Sequence, residues 1–303
     1  PLPAIDWAWI QSMYLPAPFA QLIAVLRFIP LSNFFWHGAA TIASSNTGGV
    51  GVFMLGQIYP GGHPLYFLVA WAVKVSVSVQ ILLVAGIIAW LVRWWKDRSW
   101  DDAYWLIPAF LYAGLASLSA LQLGIRLVLP AMVCARMSIG RGIALLGGYR
   151  WGKVAVAVLV VLQAVRVGMS YPNYISFFNL WTKPQLSGPY YLSDSNLDWG
   201  QGLHDLRIYM DEHKVEKLNL FYFGNDNAWV KLPEERIEMM PVPWSPDHVK
   251  EDVFTPKPGL YAVSASLLTG QLFEPRFKNY MRRFREMSPE AIVGGSIYIY
   301  RVK

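Results

Sequence analysis

Cysteine is all but missing from this sequence: Cys134 is the only one in 303 residues. An intrachain disulfide and any cysteine-based zinc site are thereby excluded. Acid is scarce as well, and unevenly so. No glutamate occurs before Glu212, and the only carboxylates before residue 190 are Asp6, Asp97, Asp101 and Asp102. Charged residues make up 15% of the chain, where soluble domains carry about 25%. A stretch of ~170 residues with so little charge reads as membrane, and the ~130 that follow have globular composition. No Gly-rich phosphate loop, nucleophile elbow, zinc motif or haem motif occurs, so no cofactor and no metal is implied. Internal repeats and low-complexity tracts are also absent. The chain opens on Pro1 without Met or a signal peptide, and its natural start is expected upstream.

What the chain has instead is apolar length: 54% of its residues are hydrophobic. Residues 1–64 are apolar but broken by Pro16, Pro18, Pro30, Pro60, Pro64 and a Gly48-Gly49-x-Gly51 cluster. They read as an interfacial or outer loop region, with Phe19–Phe28 as an amphipathic surface helix and turns at 44–49 and 59–62. Residues 65–169 read as a transmembrane helical domain, since ~20 apolar residues cross a ~30 Å hydrocarbon core. Four spans are predicted, at Leu65–Val92, about Tyr104–Leu121, Ile125–Ile139 and about Trp151–Val167. Arg93, Lys96 and Arg98 follow the first span, and Arg136, Arg141, Arg150 and Lys153 fall between the third and fourth. The positive-inside rule puts those loops in the cytoplasm and the N-terminal region and residues 170–303 outside. The formal net charge of +6 is then that of a basic membrane protein, and nucleic acid is not implied as a partner.

Residues 170–303 read as an α/β extracytoplasmic domain. Asp198-x-x-Gln201 resembles a capping box that opens a helix with Leu203, Leu206, Tyr209 and Met210 on one face. Strands are predicted at Leu218–Phe223, Leu260–Ser264 and Ser296–Val302, with a basic helix over Arg276–Glu286.

The densest polar stretch is Tyr190–Gln201, just past the last span. Asp194, Asn196, Asp198, Trp199 and Gln201 could hold a polar ligand there. The competing reading is that Asp198 caps the helix while Asp194 and Asn196 tie down a turn. His204 and Asp205 lie one turn on, but no paired His at ligand spacing supports a metal site. Arg126, at the end of a span, has no acid within the spans to neutralise it, so it either binds an anion or snorkels. Lys74 poses the same choice nearer a helix end.

With these residues in view, the chain resembles the C-terminal half of bacterial C-type membrane glycosyltransferases, relatives of protein O-mannosyltransferases and aminoarabinose transferases. Phe53-Met54-Leu55-Gly56, then Gly61-Gly62-His63-Pro64-Leu65-Tyr66-Phe67 and Lys74, is similar to the family's loop leading into a helix with an early lysine. Gly124-Ile125-Arg126-Leu127-Val128-Leu129-Pro130 is similar to its Arg-Tyr-Leu-Leu-Pro element. Tyr191-Leu192-Ser193-Asp194-Ser195-Asn196-Leu197-Asp198-Trp199-Gly200-Gln201 is the most specific piece, and 258–264 and 295–300 resemble two of its strands.

The resemblance implies sugar transfer from a polyprenyl-phosphate carrier at the outer face of the bacterial inner membrane. Arg126 and Lys74 would then meet the carrier's phosphate. Membrane lipids, a polyprenyl-phosphate sugar and other membrane subunits are the implied partners. The family's catalytic Asp lies in a first outer loop, and here only Asp6 precedes the first span, in no recognisable motif. No catalytic residue is therefore assigned. Two functions stay open: the C-terminal portion of such a transferase, or a non-catalytic accessory subunit derived from one.

Overall fold

The computed structural model describes residues 51–303 other than 102, 183–188, 225 and 245–248, together with Gln21, Phe35 and residues 38–42. The predicted surface helix at Phe19–Phe28 and the turn at 44–49 lie outside the described residues.

Among the described residues, three helices are long and apolar enough to cross a membrane: Val77–Asp97, Ile125–Gly147 and Arg150–Ser170. At about 1.5 Å per residue, each matches a ~30 Å core. The first is α2 (Val77–Asp97), and it is preceded by a separate helix, α1 (Tyr66–Lys74). The expected single span from Leu65 to Val92 is thus cut in two. The chain is extended at Val75 (ψ 135°) and Ser76 (ψ 145°), and the carbonyls freed by the break are taken by polar side chains. Asn179 Nδ2 donates to Ala72 O and, at 2.8 Å, to Val75 O, while its backbone N–H donates to Val73 O at 2.8 Å. Gln80 Nε2 donates to Trp71 O at 3.1 Å and Ala72 O at 2.9 Å. A helix can stop at such a depth because other groups meet its backbone.

Helix α3 (Ala103–Leu118) holds 16 residues, with Pro108 inside, and is shorter than the three crossing helices. The next crossing starts with a 3₁₀ turn, Ile125–Val128, and continues as α4 (Leu129–Arg136) and α5 (Ile139–Gly147). The expected span ended at Ile139, so α5 extends it through what the basic residues alone suggested was a loop. α6 (Arg150–Ser170) completes the group and buries none of its residues.

Helices α2 and α5 touch backbone to backbone. A Cβ on Gly86 would fall on Ser138 O, and one on Gly142 would meet Leu82 O and approach Gly86 N to 2.7 Å. Small residues permit this close approach where lipid removes any hydrophobic drive for helices to associate. Gly86→Leu is expected to destabilise the detergent-solubilised protein by roughly 1–3 kcal/mol, the usual cost of overpacking. Gly114→Leu on α3, whose Cβ meets nothing within 4 Å, should leave the thermal midpoint unchanged or raise it. Equal losses from both substitutions would count against the contact.

Two strands, β1 (Val52–Met54) and β2 (Gln57–Tyr59), form an antiparallel hairpin where a surface loop was expected. Met54 also bridges to Leu192. The remainder is a five-stranded mixed sheet. In sequence order it comprises α7 (Leu203–Glu212), β3 (Leu218–Phe221), α8 (Ala228–Lys231), β4 (Ile237–Met239), β5 (Gly259–Ser264), α9 (Ala265–Leu268), α10 (Arg282–Arg285), β6 (Ala291–Val293) and β7 (Ile297–Val302). The strand order is β4-β3-β5-β7-β6; the β4, β3 and β5 strands run parallel, and β7 and β6 pair antiparallel.

Alternation along the strands divides the core. Leu260, Ala262, Ile297 and Ile299 face α7, whose buried residues are Leu203, Leu206, Tyr209 and Met210, as the periodicity predicted. Tyr261, Val263, Tyr298 and Tyr300 face the other side, where one core runs from Phe277 and Phe284 to Leu192, Met54, Tyr66 and Phe67. That core joins the sheet to the first membrane helix. The basic stretch 276–286 is not one helix: a 3₁₀ turn at Pro275–Phe277 and the short α10 divide it.

Candidate functional site

The loop 193–201 enters this shared core between α1 and the Gly124–Val128 turn, and Asn196 fixes it there. Asn196 is 2% exposed. Its Nδ2 donates to Tyr66 Oη at 2.8 Å and to Ser193 O at 3.3 Å, and its Oδ1 accepts from the Ile125 N–H at 3.0 Å. Its backbone carbonyl accepts from Lys74 Nζ at 2.6 Å. One side chain thereby joins its own loop to two segments 71 and 130 residues distant in sequence. Tyr66, which sequence reasoning did not single out, belongs to the site.

Lys74 also donates to Ile175 O at 2.7 Å and lies 4.4 Å from the centre of the Phe178 ring. The two carbonyls and the ring face favour its charged form. Lys74 borders a cleft of about 300 Å³ that Arg136, Gln163 and Arg166 also line, and Arg126 is not part of that lining. The two basic residues expected to meet one phosphate do not both line this cleft.

Arg126 is exposed at the head of the crossing helix. Its guanidinium carbon lies 5.1 Å from the centre of the Trp199 ring, within cation–π range. Among the described residues it makes no hydrogen bond. Its charge does reach Asp194, whose carboxyl it pulls down, against a larger upward push from burial. An acid therefore stands near Arg126 after all, contributed by the domain rather than by the spans. Asp194 has φ 55°, a left-handed conformation that Asp tolerates better than most residues. Its carbonyl accepts from the N–H groups of Leu197 at 2.8 Å and Asp198 at 3.1 Å, and its Oδ2 accepts from Ser195 Oγ at 3.3 Å.

Asp198 is not the helix cap. The residue preceding α7 is Gly202, with no side-chain cap, and Asp198 is fully buried. Its Oδ1 accepts from the Gly200 N–H at 2.9 Å, closing a tight turn, while among the described residues its Oδ2 has no hydrogen-bond partner. Burial raises its carboxyl to about 7, against the pull of the Gly200 N–H and of the nearby Ser266 N–H and Ser264 hydroxyl. Gln201 does not complete a capping box either: its Oε1 accepts from Trp199 N–H at 2.7 Å, and its Nε2 donates to Leu197 O at 3.2 Å. These contacts hold the Trp199 backbone, and its ring, 39% exposed, is left free to stand under Arg126. Asp205 accepts from Asn173 Nδ2 at 3.2 Å.

The loop thus divides its labour. Asn196, Asp198 and Gln201 are spent on structure, while Arg126, Trp199 and Asp194 present a cation, an aromatic face and an acid at one end of an apolar helix. No protein-family model, curated protein or solved structure matches the chain.

Proposed function

We propose that this chain is part of an integral-membrane glycosyltransferase that takes its sugar from a polyprenyl-phosphate carrier, with the carrier phosphate held at Arg126. One observation carries the reading. Arg126 is exposed at the head of an apolar crossing helix, oriented by an aromatic ring 5.1 Å away, and makes no hydrogen bond among the described residues. A guanidinium at that level matches a phosphate in charge and geometry. An apolar groove of about 440 Å³ lined by Phe67, Trp71, Phe110 and Met132 runs between the same helices and suits the carrier's hydrocarbon chain.

In this proposal α3 makes a fourth crossing, the sheet domain stands on the periplasmic side of a bacterial inner membrane, and Lys74 braces the loop beside the phosphate. No residue of the chain is assigned as general base. Removing a charge-assisted contact costs roughly 1.5–3 kcal/mol. Arg126→Ala is therefore expected to weaken retention of a polyprenyl phosphate about tenfold or more, measured by native mass spectrometry of the purified protein. Arg150→Ala should retain the lipid like the parent. Equal retention by Arg126→Ala and the parent would sink the proposal.

The second reading is a non-catalytic accessory subunit, favoured by α6, which buries none of its residues and so keeps an apolar face suited to another membrane protein. Sugar transfer separates the two. Transfer from a polyprenyl-phosphate donor by the 303-residue chain, abolished by Asp194→Asn with folding intact, would make Asp194 the base and exclude the accessory role.

A further inference from the structure

A second cleft among the described residues lies away from Arg126 and shares no residue with that site. Its volume is about 600 Å³, within the range of small-molecule sites. The tip of the β1–β2 hairpin and Tyr190 form one wall, and the segment from Lys278 to Pro289 forms the other. The floor is aromatic, made by Phe284, Tyr298 and Tyr300, with Leu268 and Thr269 at one side.

The charge of this cleft is one-sided. Among the described residues, Lys278 and Arg285 line it and no Asp or Glu does. Arg285 is held in place by neutral acceptors: Nη1 donates to Leu268 O at 2.8 Å and to Lys278 O at 3.3 Å, and Nη2 donates to Asn279 Oδ1 at 3.2 Å. The nearest acid in sequence, Glu286, is engaged by Arg282 Nε at 2.7 Å. A guanidinium fixed by neutral acceptors, partly desolvated and with no carboxylate hydrogen-bonded to it among the described residues, feels Glu286 only as a neighbouring charge and is organised for an anion that arrives from outside. The floor adds its own unmet need: the Tyr298 hydroxyl, on a residue 3% exposed, has no hydrogen-bond partner among the described residues. A bare inorganic anion would satisfy the two cations and leave the aromatic floor unused.

We propose that this cleft binds an organic anion, a phosphate or carboxylate group carried on a ring-sized body, with Lys278 and Arg285 meeting the charge and the aromatic floor receiving the ring. The proposal stands independently of the glycosyltransferase reading.

The test is isothermal titration of the detergent-solubilised 303-residue protein with phenyl phosphate, benzoate, phenol and inorganic phosphate. Phenyl phosphate or benzoate is expected to bind at least about tenfold more tightly than either phenol or inorganic phosphate, and the tighter of the two names the anionic group. Lys278→Gln, at an exposed position where folding is not at stake, should weaken that binding about tenfold, and Arg285→Gln should weaken it further. Arg283→Gln, on the same short helix but outside the cleft, should leave it unchanged. Phenol binding as well as its phosphate ester, no measurable binding of either organic anion, or undiminished binding in Lys278→Gln would each overturn the proposal.

Discussion

Asn196→Ala is expected to destabilise the protein by about 3 kcal/mol or more, the largest loss from any single side chain in the loop. The substitution strands two buried groups, the Ile125 N–H and the Tyr66 hydroxyl, which Asn196 now partners at 3.0 and 2.8 Å. Each orphaned buried group costs roughly 1–3 kcal/mol, and the emptied volume adds to that. The loss should be local before it is global. Because Asn196 joins the domain to α1 and to the head of the α4 crossing, the loop should come away while the core between the sheet and α7 survives. Limited proteolysis between residues 171 and 201 should accelerate well ahead of cleavage within 203–212. A variant that melts within ~0.5 kcal/mol of the parent, the range of an ordinary surface change, would show that the shared bonds contribute little.

The second large effect is on pH dependence. Burial raises the Asp198 carboxyl from an ordinary 3.8 to about 7 in the folded chain. The folded state therefore holds this proton more tightly than the unfolded state does. The resulting stability is fully present below pH ~4 and is lost as pH rises towards ~7, at about 1.4 kcal/mol per unit and roughly 4 kcal/mol in all. Asp198→Asn keeps an acceptor for the Gly200 N–H and removes the titration. It should flatten that part of the stability curve and leave the variant at least as stable as the parent at pH 8. The other titratable groups that face Asp198, the Tyr222 and Tyr298 hydroxyls, are both raised by burial, so neither contributes a slope in this window. An unchanged slope in Asp198→Asn would mean that the carboxyl ionises freely.

Periodicity was the readable part of the sequence. The buried face of α7 and the positions of β5 and β7 follow from hydrophobic spacing, because alternation and the 3.6-residue repeat report directly which side is covered. The interruption between α1 and α2 carried no such mark. Residues 73–79 contain neither Pro nor Gly, and the break is made by Asn179 and Gln80, one of them about a hundred residues away. The β1–β2 hairpin was hidden by its turn, which places Leu55 (φ 51°) and Gly56 (φ 80°) in left-handed conformations, where Asn-Gly is the usual signal. In the site, Asp198 and Gln201 have the spacing of a capping box, yet Gly202 intervenes and α7 begins later. Residue types could place Arg126 at the end of a span, but its two neighbours, Trp199 and Asp194, lie some seventy positions on in the chain. Only folding the loop down onto the span brings them together.

Helix α6 buries none of its 21 residues, and it is tied to the rest of the molecule by two side chains and by Gly152, where a Cβ would fall on Leu146 O. Gln163 accepts from Ser76 Oγ, and Arg166 donates to Phe178 O at 3.0 Å. Elsewhere along the helix, lipid asks only that a side chain be apolar, and Val, Leu, Ile and Met answer equally well. Such a segment is free to drift over generations, exchanging one aliphatic residue for another with no loss of fitness. In a saturation-mutagenesis map, α6 would appear as three fixed rungs, at positions 152, 163 and 166, on an otherwise interchangeable ladder.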